Sequence, residues 1–251
     1  MTSFDLSGRW AIVTGANTGI GQAIAVGLAR AGADIVGVGR SDMHATETEV
    51  TALGRTFLSI SADLSKIDEA AKVVERALAA GATPDILVNN AGIIRRADAL
   101  DFSEEDWDAV LDTNLKSVFF LCQAFAKAAI AAGRDARIIN VASLLSFQGG
   151  IRVPSYTAAK SGLAGLTKLM ANEWAARGIN VNAIAPGYVE TNNTAALRAD
   201  AERSADILKR IPAGRWARAD DMAGAAVFLA SPAADYVHGV ILPVDGGWLA
   251  R

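Results

Sequence analysis

The stretch "RWAIVTGANTGIGQAIAVGLARAGADIVGVGR", residues 9–40, decides the fold. It begins with a short apolar run and passes through a turn rich in glycine. It continues in a segment with apolar residues at helical spacing and ends in a second run rich in valine and isoleucine. A strand, a helix and a second strand in this order are typical of parallel pairing. The stretch therefore predicts that an α/β domain starts here.

The same alternation continues along the chain. Helical patterns lie between the apolar runs, and several of them stop at a glycine, as at Gly32, Gly81, Gly133 and Gly178. The runs are apolar on both faces, which favours a parallel sheet covered on both sides. We therefore expect residues 1–251 to form a single doubly wound Rossmann domain, α/β in class, with helices on both faces of a seven-stranded parallel sheet. The predicted strands lie at residues 9–14, 33–39, 57–62, 85–90, 136–143, 179–186 and 239–247.

Composition excludes several classes of protein. Of the 251 residues 51% are hydrophobic, so a sizeable core is expected, and the net charge of −3 gives no basic footprint for nucleic acid. His44 and His238 lie far apart, which gives no support to a histidine-built metal site, and we expect no metal.

The single cysteine and the pattern of apolar residues indicate in which cell compartment the protein is expected. Cys122 is the single cysteine, so no internal disulfide can form, and a reducing compartment fits. The first ten residues lack a signal pattern, and the longest apolar stretch is interrupted by Gln123 and Lys127. We therefore expect a cytoplasmic protein without a membrane span.

The glycine-rich turn after the first strand is a candidate phosphate site. Small residues let the backbone approach a pyrophosphate, and the N–H groups at the start of the following helix point toward it. The G-x-x-x-G-x-G spacing differs from the G-x-G-x-x-G fingerprint, so a plain tight turn is the alternative. The turn supplies the candidate cofactor-binding residues Gly15, Asn17, Thr18, Gly19, Ile20 and Gly21.

The end of the second strand bears on the choice of nucleotide. A carboxylate there would bind a ribose 2′-hydroxyl, and an arginine can accept a 2′-phosphate. Gly39 occupies the position of the acid, and Arg40 follows it. This favours NADP(H), although Arg40 could equally be a solvated residue that stacks on adenine.

Three proton-handling side chains lie in the stretch "SLLSFQGGIRVPSYTAAK", residues 143–160. Tyr156 and Lys160 lie one helical turn apart, and the lysine charge is expected to lower the pKa of the phenol. Ser143 would hydrogen-bond a reacting oxygen beside the phenol. The pattern indicates interconversion of a ketone and an alcohol, with a nicotinamide cofactor supplying the redox chemistry.

These motifs together resemble the short-chain dehydrogenase/reductase family over nearly the whole chain. "TGANTGIG", "ADL" (residues 62–64), "NNAG" (89–92), "PG" (186–187) and "DGG" (245–247) occur in the family's order. The resemblance implies a catalytic tetrad of Asn114, Ser143, Tyr156 and Lys160, with Asn114 anchoring water beside the lysine. It adds as cofactor-binding residues Asp63, Leu64, Asn90, Ala91, Gly92, Tyr156, Lys160, Pro186, Gly187, Val189 and Thr191.

Further segments resemble one subgroup of the family, the 2-dehydro-3-deoxy-D-gluconate 5-dehydrogenases, also labelled 2-deoxy-D-gluconate 3-dehydrogenases. Among them are "NNAGIIRR", "NAIAPGYVETNNT" and "VDGGWLAR". The subgroup acts on sugar acids and is regarded as NAD-linked. The resemblance therefore favours NAD(H), whereas Arg40 alone favours NADP(H).

A sugar-acid substrate carries a carboxylate, which arginine binds in bidentate fashion. Arg152 is the first candidate, with a subunit contact or surface role as the alternative, and Arg95 and Arg96 are further candidates. All lie where strands end, at the edge where open α/β sheets bind ligands. Other candidate substrate contacts are Gln148, Tyr188, Asn192 and Asn193.

The family resemblance also implies a lid and an assembly. Residues 191–212 would form a substrate lid, although their charges could equally form a solvated helix face. The helices around residues 114–131 and 155–177 would be dimer faces of a homotetramer, and Trp248 looks exposed enough to contact another subunit. The aromatic residues of these regions could equally belong to the core of the chain; they are Trp107, Phe119, Phe120 and Phe125.

Three other functions remain open on the sequence. A gluconate or polyol dehydrogenase keeps the chemistry and changes the substrate. A 3-oxoacyl reductase is a further alternative, since Arg95 and Arg96 could bind a phosphopantetheine carrier. A redox sensor that binds dinucleotide without turnover belongs to another class, and the presence of all four tetrad residues argues against it.

Overall fold

The computed structural model describes residues 3–250. Seven strands pair in parallel, as the sequence predicted, and their order in the sheet is β3-β2-β1-β4-β5-β6-β7. The chain returns to the middle of the sheet after β3, so the order reverses between β1 and β4. The strands are β1 (Trp10–Thr14), β2 (Asp34–Gly39), β3 (Phe57–Ser61), β4 (Pro84–Asn89), β5 (Ala136–Val141), β6 (Ile179–Pro186) and β7 (Ile241–Val244).

Helices connect successive strands. Four of the connecting helices or turns end beside glycines of positive φ, at Gly32, Gly81, Gly133 and Gly178, as their sequence positions indicated. The helices are α1 (Gly19–Arg30), α2 (His44–Ala52), α3 (Ile67–Ala79), α4 (Glu104–Leu111), α5 (Ser117–Ala131), α6 (Pro154–Trp174), α7 (Ala195–Ala199), α8 (Ala201–Arg210) and α9 (Ala223–Ala230).

The sheet is covered on both faces. Val13 of β1 lies in one buried cluster with Ile24 of α1 and Leu229 of α9. Its neighbour Ile12 lies in a second cluster with Phe125 of α5, together with residues of α3 and α6. Successive side chains of a strand point to opposite faces, so this division shows a doubly wound sandwich.

The topology fixes where a ligand can bind. In open α/β sheets ligands occupy the crevice outside the carboxyl ends of the strands, at the point where the strand order reverses. Here that crevice lies above β1 and β4. Within residues 3–250 no helix is both long enough and apolar enough to cross a membrane.

Candidate active site

The glycine turn is fastened to the loop after β4. Asn90 donates from Nδ2 to the Thr14 carbonyl at 2.9 Å, and its backbone N–H donates to Thr14 Oγ1 at 2.9 Å. Gly15 adopts a φ of +66°, and a Cβ on Gly21 would clash with the Gly15 carbonyl and Asn90 Nδ2. The glycines are therefore needed for the close packing of the turn against the NNAG segment.

The start of α1 is open toward the crevice. Thr18 is its N-cap and makes no side-chain hydrogen bond to the helix, so the first N–H groups of α1 lack a capping partner. A 12-residue helix with a free N-terminus at a glycine turn is a favourable place for a phosphate.

A cleft of about 400 Å³ lies beside this turn, at the ends of β2 and β3. Gly39 leaves its floor open, since a Cβ there would meet Asn17 Oδ1 only at 3.9 Å. Arg40 and Asp63 both line it and form an ion pair of 3.8 Å, and the Arg40 side chain is 67% exposed. The predicted cofactor residues on its wall are Gly15, Asn17, Arg40, Asp63, Leu64, Ala91 and Gly92.

A second cavity of about 140 Å³ continues the cleft toward β5 and β6. Gly92 lines both, which makes them neighbours along the sheet edge. The predicted cofactor residues brought together in the second cavity are Ile20, Asn90, Gly92, Tyr156, Lys160, Pro186, Gly187, Val189 and Thr191. A cleft that runs from a basic residue past a free helix N-terminus to a tyrosine fits an extended dinucleotide.

Ser143 follows β5 and is held in place by its own loop. Its Oγ accepts a hydrogen bond from the Leu145 N–H at 3.2 Å, which leaves its hydroxyl proton free to donate. The loop is joined to α6 because Ser146 Oγ donates to the Lys160 carbonyl at 2.7 Å and Ser161 Oγ donates to the Leu145 carbonyl at 2.9 Å. These bonds fix Ser143 relative to Tyr156.

The side chains of Ser143 and Tyr156 interact and line the same two cavities. Burial raises the pKa of Tyr156 above its ordinary value, while the Ser143 side chain and the charge of Arg96 act in the opposite direction. Arg96 is thus a cation near this phenol that the sequence had not assigned to it.

Lys160 lies deeper than the sequence indicated. Its ammonium nitrogen is 5.5 Å from the centre of the Tyr156 ring and donates to the Val141 carbonyl at 2.6 Å. Burial lowers the pKa of Lys160 to about 8. Because its hydrogen bond goes to backbone, the lysine positions the end of β5 as well as placing charge below the phenol.

Asn114 lies in a π-helical turn, Asp112–Lys116, between α4 and α5. Its side chain donates to the Ile93 carbonyl at 2.8 Å and accepts from the Ile93 N–H at 2.9 Å. Asn114 therefore clamps the loop after β4, and its role in anchoring water beside Lys160 stays a prediction. π-helical turns often occur at functional sites, and no pattern in the sequence indicated this one.

A third cavity, of about 200 Å³, opens on the other side of Ser143 and Tyr156. It brings together three predicted substrate residues, Gln148, Tyr188 and Asn193. Two arginines also line it, Arg96 after β4 and Arg203 on α8, and no Asp or Glu is among its described lining residues. We call it the substrate cavity below.

Three predicted substrate contacts lie elsewhere. Arg95 lines the cleft on the nucleotide side, and its Nε is 3.0 Å from Asp106. Arg152 has a φ of +63° and its Nε is 3.3 Å from Asp98, so its charge is paired outside the substrate cavity. Asn192 begins an exposed turn and lines no described cavity. Arg95 and Arg152 each form an ion pair with a nearby carboxylate. The spacing of residues along the sequence could not indicate these pairs.

Trp248 is buried, with 3% of its surface exposed, in contrast to the exposed position expected from the sequence. Its ring lies 4.8 Å from that of Tyr188 and carries the Arg210 guanidinium at 3.9 Å. Its Nε1 donates to Gln148 Oε1 at 3.2 Å. Trp248 therefore packs within its own chain and forms the floor under Tyr188 and Gln148.

Arg203 is the functional candidate that sequence reasoning missed. It lies four residues before Ile207, the buried residue of α8, and so shares the helix face turned toward the protein. That i, i+4 relation to an apolar residue was the available signal. No group of three or more His, Cys, Asp or Glu in residues 3–250 is placed to hold a metal ion.

A doubly wound sheet, a glycine turn at its switch point and a Ser–Tyr–Lys group at its carboxyl edge define an oxidoreductase that uses a nicotinamide dinucleotide. A family model described as enoyl-(acyl carrier protein) reductase matches residues 15–249. The chain belongs to the short-chain dehydrogenase/reductase family.

Three relatives illustrate the similarity. The 2-dehydro-3-deoxy-D-gluconate 5-dehydrogenase of Escherichia coli K12 is 62% identical over 251 residues, covering 100% of this chain and 99% of that protein. A solved structure from Agrobacterium tumefaciens, described as a 2-deoxy-D-gluconate 3-dehydrogenase with bound NADP, is 62% identical with a TM-score of 0.95 and covers 100% of both chains. A gluconate 5-dehydrogenase from Burkholderia cenocepacia, solved with NADP and tartrate, is 40% identical with a TM-score of 0.95, covering 100% of this chain and 98% of that one.

Proposed function

We propose that this protein interconverts a secondary alcohol and a ketone on a sugar acid, with 2-dehydro-3-deoxy-D-gluconate 5-dehydrogenase activity. The observation that carries the proposal is the substrate cavity, which places two arginines and no carboxylate beside Tyr156. Such a cavity favours an anionic substrate. The name of the Escherichia coli relative, 62% identical along the whole chain, supports the same substrate class.

The chain's own residues would carry out the proton chemistry. Ser143 Oγ donates to the reacting oxygen and holds it near Tyr156. Ionised Tyr156 accepts the hydroxyl proton during oxidation and, as the neutral phenol, returns it during reduction. A bound nicotinamide supplies or accepts the hydride at the carbon.

Lys160 and Asn114 support this chemistry by holding the backbone around the site. The Lys160 ammonium favours the ionised phenol and fixes the end of β5 through Val141. Asn114 holds the loop after β4 through Ile93, which keeps Gly92 in the wall of the cofactor cleft.

The nucleotide end of the cleft accepts NADP(H) as well as the NAD(H) that subgroup resemblance favours. No acid stands at Gly39 to repel a 2′-phosphate, and Arg40, although paired with Asp63 at 3.8 Å, keeps most of its side chain exposed in the cleft. The Agrobacterium tumefaciens relative was solved with bound NADP, which supports this reading.

Residues 191–212 serve as the substrate lid in this proposal. The segment contains α7 and α8, and Ile207 and Ile211 pack in one buried cluster with Trp216 and Trp248. It is therefore a small unit docked over the cavity by a few apolar contacts, which suits opening and closing.

A homotetramer is the assembly proposed from family resemblance. Trp107 of α4 is 39% exposed, Phe120 of α5 38% and Leu169 of α6 44%, and large apolar side chains on neighbouring helices favour burial against another subunit. Phe125, in contrast, is buried in the core. Light scattering on the purified protein tests the proposal, and a monomer would contradict it.

One experiment tests the function. The purified protein is incubated with NAD⁺ or NADP⁺ and a panel of sugar acids, polyols and 3-hydroxyacyl thioesters, and the absorbance of reduced nicotinamide is followed. We expect turnover of 2-dehydro-3-deoxy-D-gluconate with the highest kcat/KM. Preference for a neutral polyol or an acyl thioester would overturn the proposal, and absence of turnover with every compound would favour a redox sensor.

A further inference from the structure

The arginines near the active site divide into two groups by their partners. Arg95 and Arg152 are each paired with a carboxylate, Asp106 and Asp98. Arg96 and Arg203, which line the substrate cavity, have no ion pair in the part of the chain described. Two cations without a counter-charge at one cavity are a prepared anion site, because a bound carboxylate would relieve their repulsion.

Arg96 and Arg203, the two arginines without an ion pair in the described residues, come from different parts of the fold. Arg96 lies on the loop after β4 and acts electrostatically on Tyr156. Arg203 lies in the first turns of α8, and its charge acts on the phenol of Tyr188, which also lines the cavity. One arginine thus belongs to the fixed edge of the sheet and the other to the lid.

Arg96 also contacts the lid directly. Its Nη2 donates to the carbonyl of Asn193, in the first turn of the lid, at 2.9 Å. Arg203 follows the N-cap Asp200, whose carboxylate accepts from the Arg203 backbone N–H at 3.0 Å and so fixes the start of α8, while Arg203 itself lines the cavity. With the lid in the position observed, both arginines therefore line the same cavity.

We propose that Arg203 of α8 is a specificity-determining residue that binds the substrate carboxylate together with Arg96, so that the lid closes preferentially on anionic substrates. The proposal rests on the proposed function, since it assumes a sugar-acid substrate. It goes beyond that function in assigning the carboxylate to a residue of the lid. A neutral analogue would leave both cations unpaired and would hold the lid less firmly.

Kinetics of Arg203→Ala provide the first test. We expect kcat/KM for the sugar acid identified in the panel to fall roughly 10- to 100-fold, mostly through KM, because a charge-assisted contact is lost. Arg203→Lys should recover part of the loss. The matched control is Lys209→Ala, which removes the same charge from the outer side of the same helix and should leave kcat/KM within about twofold of wild type.

A binding measurement separates failure of this inference from failure of the proposed function. The probes are D-gluconate and its neutral counterpart D-glucitol, and the readout is the shift in Tm with NADP⁺ present, which needs no turnover. We expect D-gluconate to raise the Tm of wild type and Lys209→Ala, and to raise that of Arg203→Ala much less. D-Glucitol should have little effect on any of the three.

The outcomes discriminate the two proposals. If D-gluconate stabilises wild type and Arg203→Ala equally, the assignment of Arg203 is wrong even when sugar acids are turned over. If wild type turns over no sugar acid but the Tm shift depends on Arg203, the anion site stands and the proposed function falls.

Discussion

Lys160 donates from Nζ to the Val141 carbonyl oxygen at 2.6 Å, inside the protein and below the Tyr156 ring. A lysine in this position satisfies a backbone acceptor at the end of β5 and also keeps its charge near the phenol. Its burial opposes that charge and lowers its pKa to about 8. The catalytic arrangement is therefore a source of instability whose size depends on pH.

The lowered pKa of Lys160 makes folding stability depend on pH, and Lys160→Met tests this dependence. Between about pH 8 and 10.5 the unfolded chain holds its proton at Lys160 more firmly than the folded chain, so wild-type stability rises with pH. The variant lacks this group and therefore lacks this pH dependence. We expect the free energy of unfolding of wild type relative to Lys160→Met to increase by about 1–3 kcal/mol from pH 7 to pH 10.5.

Chemical denaturation at the two pH values measures this difference. Lys168→Met, on the same helix, is the control and should show no comparable change. If the difference in unfolding free energy between wild type and Lys160→Met stays constant with pH, then burial does not lower the pKa of Lys160 in the folded protein.

Removal of the phenolic hydroxyl should separate chemistry from binding. In Tyr156→Phe the proton acceptor beside Ser143 is lost, and we expect kcat to fall by about 10²–10⁴-fold. The nucleotide end of the cleft is formed by other residues, so affinity for NADP⁺, measured by quenching of tryptophan fluorescence, should stay within about threefold. Near-normal turnover would remove Tyr156 from the acid–base role.

The fold was predictable because its signals are local. Apolar runs bounded by turn residues marked all seven strands, and the glycines at 32, 81, 133 and 178 marked where helical segments end. Each of these signals acts over a few residues. The order of the strands then follows from the parallel, doubly wound pattern, which admits few arrangements.

The site was predictable only in part. Ser143, Tyr156 and Lys160 are joined by one loop and one helix. Their spacing in the sequence is therefore enough to predict that the three side chains lie close together. The substrate contacts depend on partners distant in sequence: Arg152 pairs with Asp98, and Trp248 bonds to Gln148 across 100 positions. Local patterns in the sequence do not show which distant side chains become partners.

Coenzyme choice should respond to Arg40. Its exposed guanidinium lines the cleft next to Gly39, where a 2′-phosphate would lie. We expect Arg40→Ala to lower kcat/KM for NADP⁺ roughly 10- to 100-fold and to change kcat/KM for NAD⁺ by less than about threefold. Steady-state kinetics with both coenzymes measure this, with Lys66→Ala as a nearby control of equal charge. Equal losses for both coenzymes would assign Arg40 to stacking on adenine.

Gly21 should tolerate no side chain. A Cβ there would clash with the Gly15 carbonyl and Asn90 Nδ2, which join the glycine turn to the loop after β4. We expect Gly21→Ala to lower the free energy of unfolding by about 1–3 kcal/mol and to weaken dinucleotide binding. Gly224→Ala is the matched control, because Gly224 also lies in the first turn of a helix and nothing lies within 4 Å of its added Cβ. Equal effects of the two substitutions would contradict the close-packing argument.

Arg96 should set the pH at which Tyr156 becomes an effective base. Its charge lowers the pKa of a phenol that burial raises, so its removal should move the pKa of Tyr156 further upward. For the oxidation reaction we expect the rising limb of kcat/KM against pH, which reports the free enzyme, to move to higher pH in Arg96→Gln and to stay near its wild-type position in Arg96→Lys. Arg203→Gln, whose charge acts on Tyr188, should lower kcat/KM without moving that limb. An unmoved limb in Arg96→Gln would mean that Arg96 binds substrate without tuning the phenol.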